Sequence, residues 1–248
     1  MLTSLTVENW KSFEKATLYI DALTVLIGMN ASGKSNLLDA LVFLNRVACG
    51  AMLTAALQGD GAMLAMRGGA EWAVRKTLEK FSLGVTIRIS ETLDIEYRIE
   101  CAVNRNRCSL LAEHLGRIQF GTDQEGKRLI GTASRRPVFR ANKVLEGVRG
   151  VTATLAVRRS NPQIQLNGSA SALYQLAGMH HDAETSGDIN AIIESLRNIF
   201  ILDPIPSHMR DFSQLADRFE PDARNIAGVI AALPEASRLA LESTPPCA

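Results

Sequence analysis

The stretch 25–36, Val-Leu-Ile-Gly-Met-Asn-Ala-Ser-Gly-Lys-Ser-Asn, constrains this chain more than any other, because it joins an apolar run, a glycine-bounded loop and a helix start. Gly28, Gly33, Lys34 and Ser35 fill the pattern G-x-x-x-x-G-K-[ST]. In that pattern successive backbone N–H groups wrap a phosphate, the lysine reaches the β and γ oxygens, and the hydroxyl is placed to ligate Mg²⁺. The candidate phosphate-binding residues are therefore Gly28, Asn30, Ala31, Ser32, Gly33, Lys34, Ser35 and Asn36, with Ser35 the candidate metal ligand.

The pattern carries meaning only where a strand feeds the loop and a helix leaves it, and both flanks comply. Leu23, Val25, Leu26 and Ile27 form a short run of the kind expected for a strand buried on both faces. From Lys34 onward, Leu37, Leu38, Leu41, Val42, Leu44 and Val47 recur at helical spacing, and the N-terminus of such a helix adds its positive dipole end to the anion site. An accidental glycine turn would require lysine, hydroxyl, strand and helix to coincide.

At 248 residues the chain can bury a full α/β core, as one large domain or as one domain plus a smaller lobe. A formal charge of +1 argues against wholesale coating of a polyanion while leaving room for a local basic face. Cys49, Cys101, Cys108 and Cys247 form no C-x-x-C pair, and no charged-then-apolar leader opens the sequence, so a reduced, cytoplasmic setting is expected. Residues 37–57 are long and apolar enough to imitate a membrane span, but Asp39, Asn45 and Arg46 interrupt them, which favours a helix packed between layers.

Along the chain, residues 2–8 alternate as an edge strand, 16–20 give a second strand, and 23–27 the strand entering the loop. Residues 59–69 are rich in glycine and end in Arg67-Gly68-Gly69, marking a loop after the long helix. Residues 83–89 and 93–103 alternate as a hairpin or meander with one wet face; 110–115 read as a short helix or turn, 117–120 as a strand and 123–127 as a polar turn. Residues 161–171 look like a lobe boundary, after which 170–178, 189–199 and 226–233 read as helices. The expected domains are thus an α/β lobe over 1–168 and a helical lobe, incomplete, over 169–248.

Val7-Glu8-Asn9-Trp10-Lys11-Ser12-Phe13, followed by Leu23-Thr24-Val25-Leu26-Ile27-Gly28 and by Asn30-x-Ser32-Gly33-Lys34-Ser35-Asn36-Leu37-Leu38-Asp39-Ala40-Leu41, resembles the opening of the SMC/RecF-type ABC-like ATPases, AAA-family P-loop NTPases. The resemblance covers about the first fifty residues, and continues weakly in Leu202-Asp203-Pro204-x-Pro206 and Asn225-x-Ala227. It implies an α/β P-loop NTPase head of ABC/SMC type with an N-terminal antiparallel sheet, followed by a partial helical lobe, and ATP with Mg²⁺ as ligands. By the same resemblance Lys11 touches phosphate and Phe13 packs near the base, against the alternative of an exposed lysine and a core phenylalanine. Homodimerisation through ATP-binding heads, with DNA or an effector protein as a further partner, is also implied, and a membrane is not.

Hydrolysis in that superfamily uses four apolar residues ending in Asp-Glu, and the chain has no such run. Residues 199–203 imitate its first half, but Pro204 follows Asp203 where the glutamate would stand, so a turn is the expected role of Asp203. Ser186-Gly187-Asp188 faintly resembles the superfamily's Ser-Gly signature and is expected to cap the next helix instead. His180, His181 and Asp182 are adjacent in sequence, which rarely lets side chains share one metal, and a solvated loop is expected. Arg135, Arg136, Arg140, Lys143, Arg149, Arg158 and Arg159 gather within 134–159; a solvated, poorly ordered loop is favoured over a nucleic-acid surface, because only Phe139 interleaves them. These readings suit the N-terminal part of a longer ATPase that binds ATP and turns it over slowly. A nucleotide-binding regulatory module without turnover is the alternative, and a small-substrate kinase is disfavoured because no catalytic base presents itself.

Overall fold

The structure is a computed structural model that describes residues 1–143, 150–156, 161–202, 206–210, 212–220 and 222–242. Two compact units divide the chain, Met1–Ile199 and Phe200–Ala248. The first is built on strands β1 (Leu2–Trp10), β2 (Phe13–Tyr19), β3 (Lys80–Arg88), β4 (Leu93–Asn104), β5 (Arg107–Thr122), β6 (Arg128–Asn142), β7 (Gly150–Leu155) and β8 (Gln163–Asn167). They form one sheet in the order β2-β1-β3-β4-β5-β6-β7-β8, with every neighbouring pair antiparallel.

One face of this sheet is apolar and the other is wet. Leu5 and Val7 of β1, Leu83, Val85 and Ile87 of β3, and Ile95, Tyr97 and Ile99 of β4 are buried together, as the period of two requires. Trp10 joins the same face three residues after Val7 because Asn9 takes a left-handed backbone (φ 53), which resets the alternation. The Trp10, Phe43 and Phe81 rings then meet at centroid distances of 4.9 to 6.0 Å, mostly edge to face. On the wet face, Glu8–Arg98, Lys80–Glu100 and Glu96–Arg135 pair across strands.

Helix α1 (Lys34–Ala48) lays Phe43, Leu44 and Val47 on the apolar face, and α2 (Leu53–Gln58), α3 (Ala172–Ala177) and α4 (Ala183–Arg197) complete the layer. The expected continuous helix over 37–57 is two helices, because the chain turns at Gly50 (φ 95), a backbone that L side chains rarely adopt. Among the described residues no helix is long and apolar enough to cross a membrane. The compact unit extends through α3 and α4 to Ile199, past the boundary expected at residue 168, because both helices bury their apolar stripes in this layer. Arg117 of β5 fastens α4 through Asp188 (2.6 and 2.8 Å) and Glu184.

Several expectations are corrected here. β1 is an inner strand flanked by β2 and β3, so β2 is the edge. Residues 110–115 continue β5 instead of turning, because the strand absorbs a bulge opposite Glu100 and Cys101 and remains paired on both sides. The arginine-rich segment is not one loop: Arg135, Arg136 and Arg140 lie in β6, while Arg149, Arg158 and Arg159 lie outside the described residues. Above all, 23–27 is not a strand. Ile20 makes the last ladder bond, to the Thr3 carbonyl, and an Asp21 turn closed by Ala22 and Thr24 then diverts the chain from the sheet. Leu23, Val25, Ile27 and Met29 are consequently 69% to 90% exposed. Apolar alternation is necessary for a buried strand, but a ladder also needs a neighbour.

Described by itself, the second unit holds a short 3₁₀ turn (His208–Arg210), α5 (Ile226–Ala232) and α6 (Glu235–Glu242). Asn225 ties its turn together, accepting from the Glu220 N–H (2.8 Å) and donating to the Arg218 carbonyl (2.9 Å). Asp203 lies outside the described residues.

Candidate functional site

The loop 28–33 ends directly on α1. Gly33 has φ +94, and a Cβ built on it would lie 2.7 Å from the Phe13 ring, so both backbone and space restrict the position to glycine. Its carbonyl accepts from Asn36 and Leu37 (2.9 and 3.2 Å) and thereby opens the helix without a side-chain cap. Ala31 is also left-handed (φ 63), and the Ser32 N–H closes a turn on the Met29 carbonyl. The backbone N–H groups of Asn30, Ala31, Gly33, Lys34 and Ser35 have no protein acceptor among the described residues. Those donors sit around the positive end of α1, the arrangement that favours an anion.

Lys34 folds its ammonium back into the loop, donating to the Gly28 and Met29 carbonyls (2.6 and 2.8 Å), with Ser32 Oγ at 3.4 Å. These contacts all lie within the loop itself. The loop contributes no carboxylate of its own, and Ser35 is exposed at the first turn of α1. This donor set fits a polyphosphate. For Mg²⁺ the chain offers the Ser35 hydroxyl, to be joined by phosphate oxygens; no cluster of three or more metal-ligating side chains exists among the described residues.

The turn between β1 and β2 fastens onto the same helix start, residue by residue. Trp10 Nε1 donates to the Asn36 carbonyl (2.7 Å), Asn36 Nδ2 donates to Ser12 Oγ (2.8 Å), and the Phe13 ring rests on Gly33. Lys11, itself left-handed (φ 49), sends its ammonium to Asp39 Oδ2 (2.5 Å) and to the Arg67 carbonyl (2.9 Å). Arg67 returns its guanidinium to Asp39 Oδ1 (3.0 Å) and to the Ser35 carbonyl (3.3 Å).

All nine residues nominated from the sequence thus lie on one loop, one helix turn and one adjoining β-turn. Gly28 and the run Asn30, Ala31, Ser32, Gly33, Lys34, Ser35 and Asn36 lie in one segment with Met29 between them, while the Lys11 ammonium is engaged by Asp39. Sequence reasoning missed Asp39 and Arg67. The available signal was a carboxylate at i+4 from Ser35 inside a leucine-rich helix face, which demands a cation wherever it is buried.

Other nominated groups serve the fold. Ser186, Gly187 and Asp188 lie inside α4, whose cap is Asp182, accepting from Thr185; the expected capping by the Ser-Gly pair is corrected accordingly. Those two bonds from Thr185 also hold the Asp182 carboxyl below its usual range. His181 Nε2 is 2.7 Å from the Leu176 carbonyl.

Residues 1–107, which span the loop, α1, the clamping turn and Arg67, match the family model of the AAA ATPase domain. The match supports an AAA-type ATPase, and with it nucleotide binding. The comparison with curated proteins finds no match.

Proposed function

We propose that this chain binds ATP with Mg²⁺ on the loop 28–35, as part of an ATPase of the ABC-like, SMC/RecF type. The single observation that carries this reading is the set of backbone N–H groups of Asn30, Ala31, Gly33, Lys34 and Ser35 that have no protein acceptor among the described residues, next to the Lys34 ammonium at the N-terminus of α1. In this reading Lys34 shares the β- and γ-phosphate charge, Ser35 holds the metal, and the turn 10–13 keeps the helix start in register with the loop. Turnover by the chain alone is slow, because phosphoryl transfer depends on positioning and charge stabilisation, and the sequence has no Asp-Glu run to orient water. That same feature favours a second reading, a regulatory module that binds nucleotide without hydrolysing it. Nucleotide-driven head dimerisation acting on DNA or an effector protein belongs to the first reading.

Titration with a fluorescent ATP analogue tests both. Lys34→Ala is expected to lower affinity by a hundredfold or more with the fold intact, as loss of one charge-assisted phosphate contact of about 3 kcal/mol would give. Ser35→Ala is expected to weaken the Mg²⁺ dependence while retaining part of the affinity. Equal binding by wild type and Lys34→Ala would exclude this site. Phosphate release measured beside the Lys34→Ala control separates the readings: slow, Lys34-dependent turnover supports an ATPase, and none supports the regulatory module.

A further inference from the structure

Asp39 has no place in the phosphate chemistry just described, yet it joins three separate segments. Its carboxylate is buried and held by two cations, Lys11 from the β1–β2 turn and Arg67 from the end of the glycine-rich loop. Lys11 and Asp39 side chains are each only 8% exposed, whereas Arg67 is 58% exposed at the flank of α1. The three are also cross-linked: Lys11 donates to the Arg67 carbonyl and Arg67 donates to the Ser35 carbonyl, one turn before Asp39. Past Arg67 the chain leaves through two left-handed glycines, Gly68 and Gly69 (φ 79 and 56), and a Cβ on Gly68 would strike Trp72 at 2.6 Å. The direction in which Arg67 approaches α1 is thereby set by the backbone.

A negative charge on the helix that receives a polyphosphate opposes binding by simple Coulomb repulsion. Its presence there, buried and doubly paired, calls for a compensating role. We infer that Asp39 is the positioning residue of the phosphate site: it draws Lys11 and Arg67 onto the first turn of α1 and so locks the turn 10–13 and the 59–69 loop to the helix start that shapes loop 28–35. The inference rests on nucleotide binding at that loop. It assigns Asp39 no contact with nucleotide; its effect passes through Lys11, Arg67 and the α1 backbone.

The sign of one substitution decides the matter. Asp39→Asn removes a negative charge near the phosphates, so a purely electrostatic role makes ATP bind more tightly, and a purely scaffolding role leaves the affinity of the folded protein unchanged. A positioning role makes binding weaker, by about tenfold for the ATP analogue and less for the ADP analogue, whose phosphate chain reaches fewer loop donors. It also speeds amide hydrogen exchange over residues 34–39 in nucleotide-free protein. Unchanged or tighter ATP binding by folded Asp39→Asn overturns the inference. Should the lone Lys11 charge left behind prevent folding, Lys11→Met with Asp39→Leu replaces the buried pair by apolar groups of similar size, an exchange that ion pairs of this kind commonly tolerate. This double variant keeps the Arg67 charge and removes the tie: about tenfold weaker ATP binding supports the inference, and wild-type affinity overturns it. Failure of the nucleotide reading itself is distinct, since the wild type would then bind the analogue no better than Lys34→Ala.

Discussion

His114 shows how much one residue's surroundings determine on the wet face of the sheet. Its Nδ1 lies 3.2 Å from the Phe139 carbonyl, and Arg98, Glu100, Arg140 and Asn142 surround it in a shallow depression. Burial lowers its pKa below the ordinary histidine value; the Phe139 bond pulls it up, and the neighbouring Arg140 pushes it down again. The folded protein therefore holds the imidazole proton less tightly than the unfolded chain does. Stability is expected to rise with pH up to the ordinary value of about 6.5 and to be lost as pH falls through the folded pKa. Urea midpoints for wild type and His114→Gln between pH 5 and 7 check this: the variant's profile is expected to be flatter, and an equal slope in both would assign the pH dependence to other groups.

At the scale of elements, the junction between β5 and α3 rests on a single buried carboxylate. Glu113 accepts from Tyr97 Oη (2.9 Å), Ser171 Oγ (2.7 Å) and the Ala172 and Leu173 N–H groups (2.6 and 2.9 Å), serving α3 as its anionic N-terminal partner. Burial pushes its pKa above the usual range, against those four hydrogen bonds, which pull it down. Glu113→Ala would strand four donors in the interior, and the expected loss is roughly 3 kcal/mol or more, read as a lowered urea midpoint. Glu113→Gln retains acceptor capacity at one oxygen and is expected to lose less. None of this was legible in the sequence, where Glu113 falls within 110–115, a segment that reads as a short helix or turn. The glycine-bounded loop and its helix start were legible because the pattern is local: two glycines, a lysine and a hydroxyl at fixed spacing before a helix. The Asp39 network was not, because its partners stand 28 residues away on either side, and nothing in local spacing pairs Lys11 or Arg67 with a helix carboxylate.

For the whole molecule, hydrophobic alternation located β1, β3 and β4, but the place of β1 between β2 and β3 depended on a pairing between distant segments, and the length of β5 on ladders to both β4 and β6. The same dependence explains the one large departure. Residues 23–27 carry the composition of an interior strand, and among the described residues no strand pairs with them. The loop 28–33 is thus anchored firmly at its α1 end and, on the other side, among the described residues, by the last ladder bond at Ile20 and the Asp21 turn. Backbone between those anchors retains conformational freedom that a bound triphosphate would have to remove, at on the order of 1 kcal/mol for each residue ordered. Isothermal calorimetry on the chain is therefore expected to show ATP association driven by heat and opposed by entropy, the mark of binding coupled to ordering. Association favoured by entropy would mean that the loop is already as fixed as the helix it feeds.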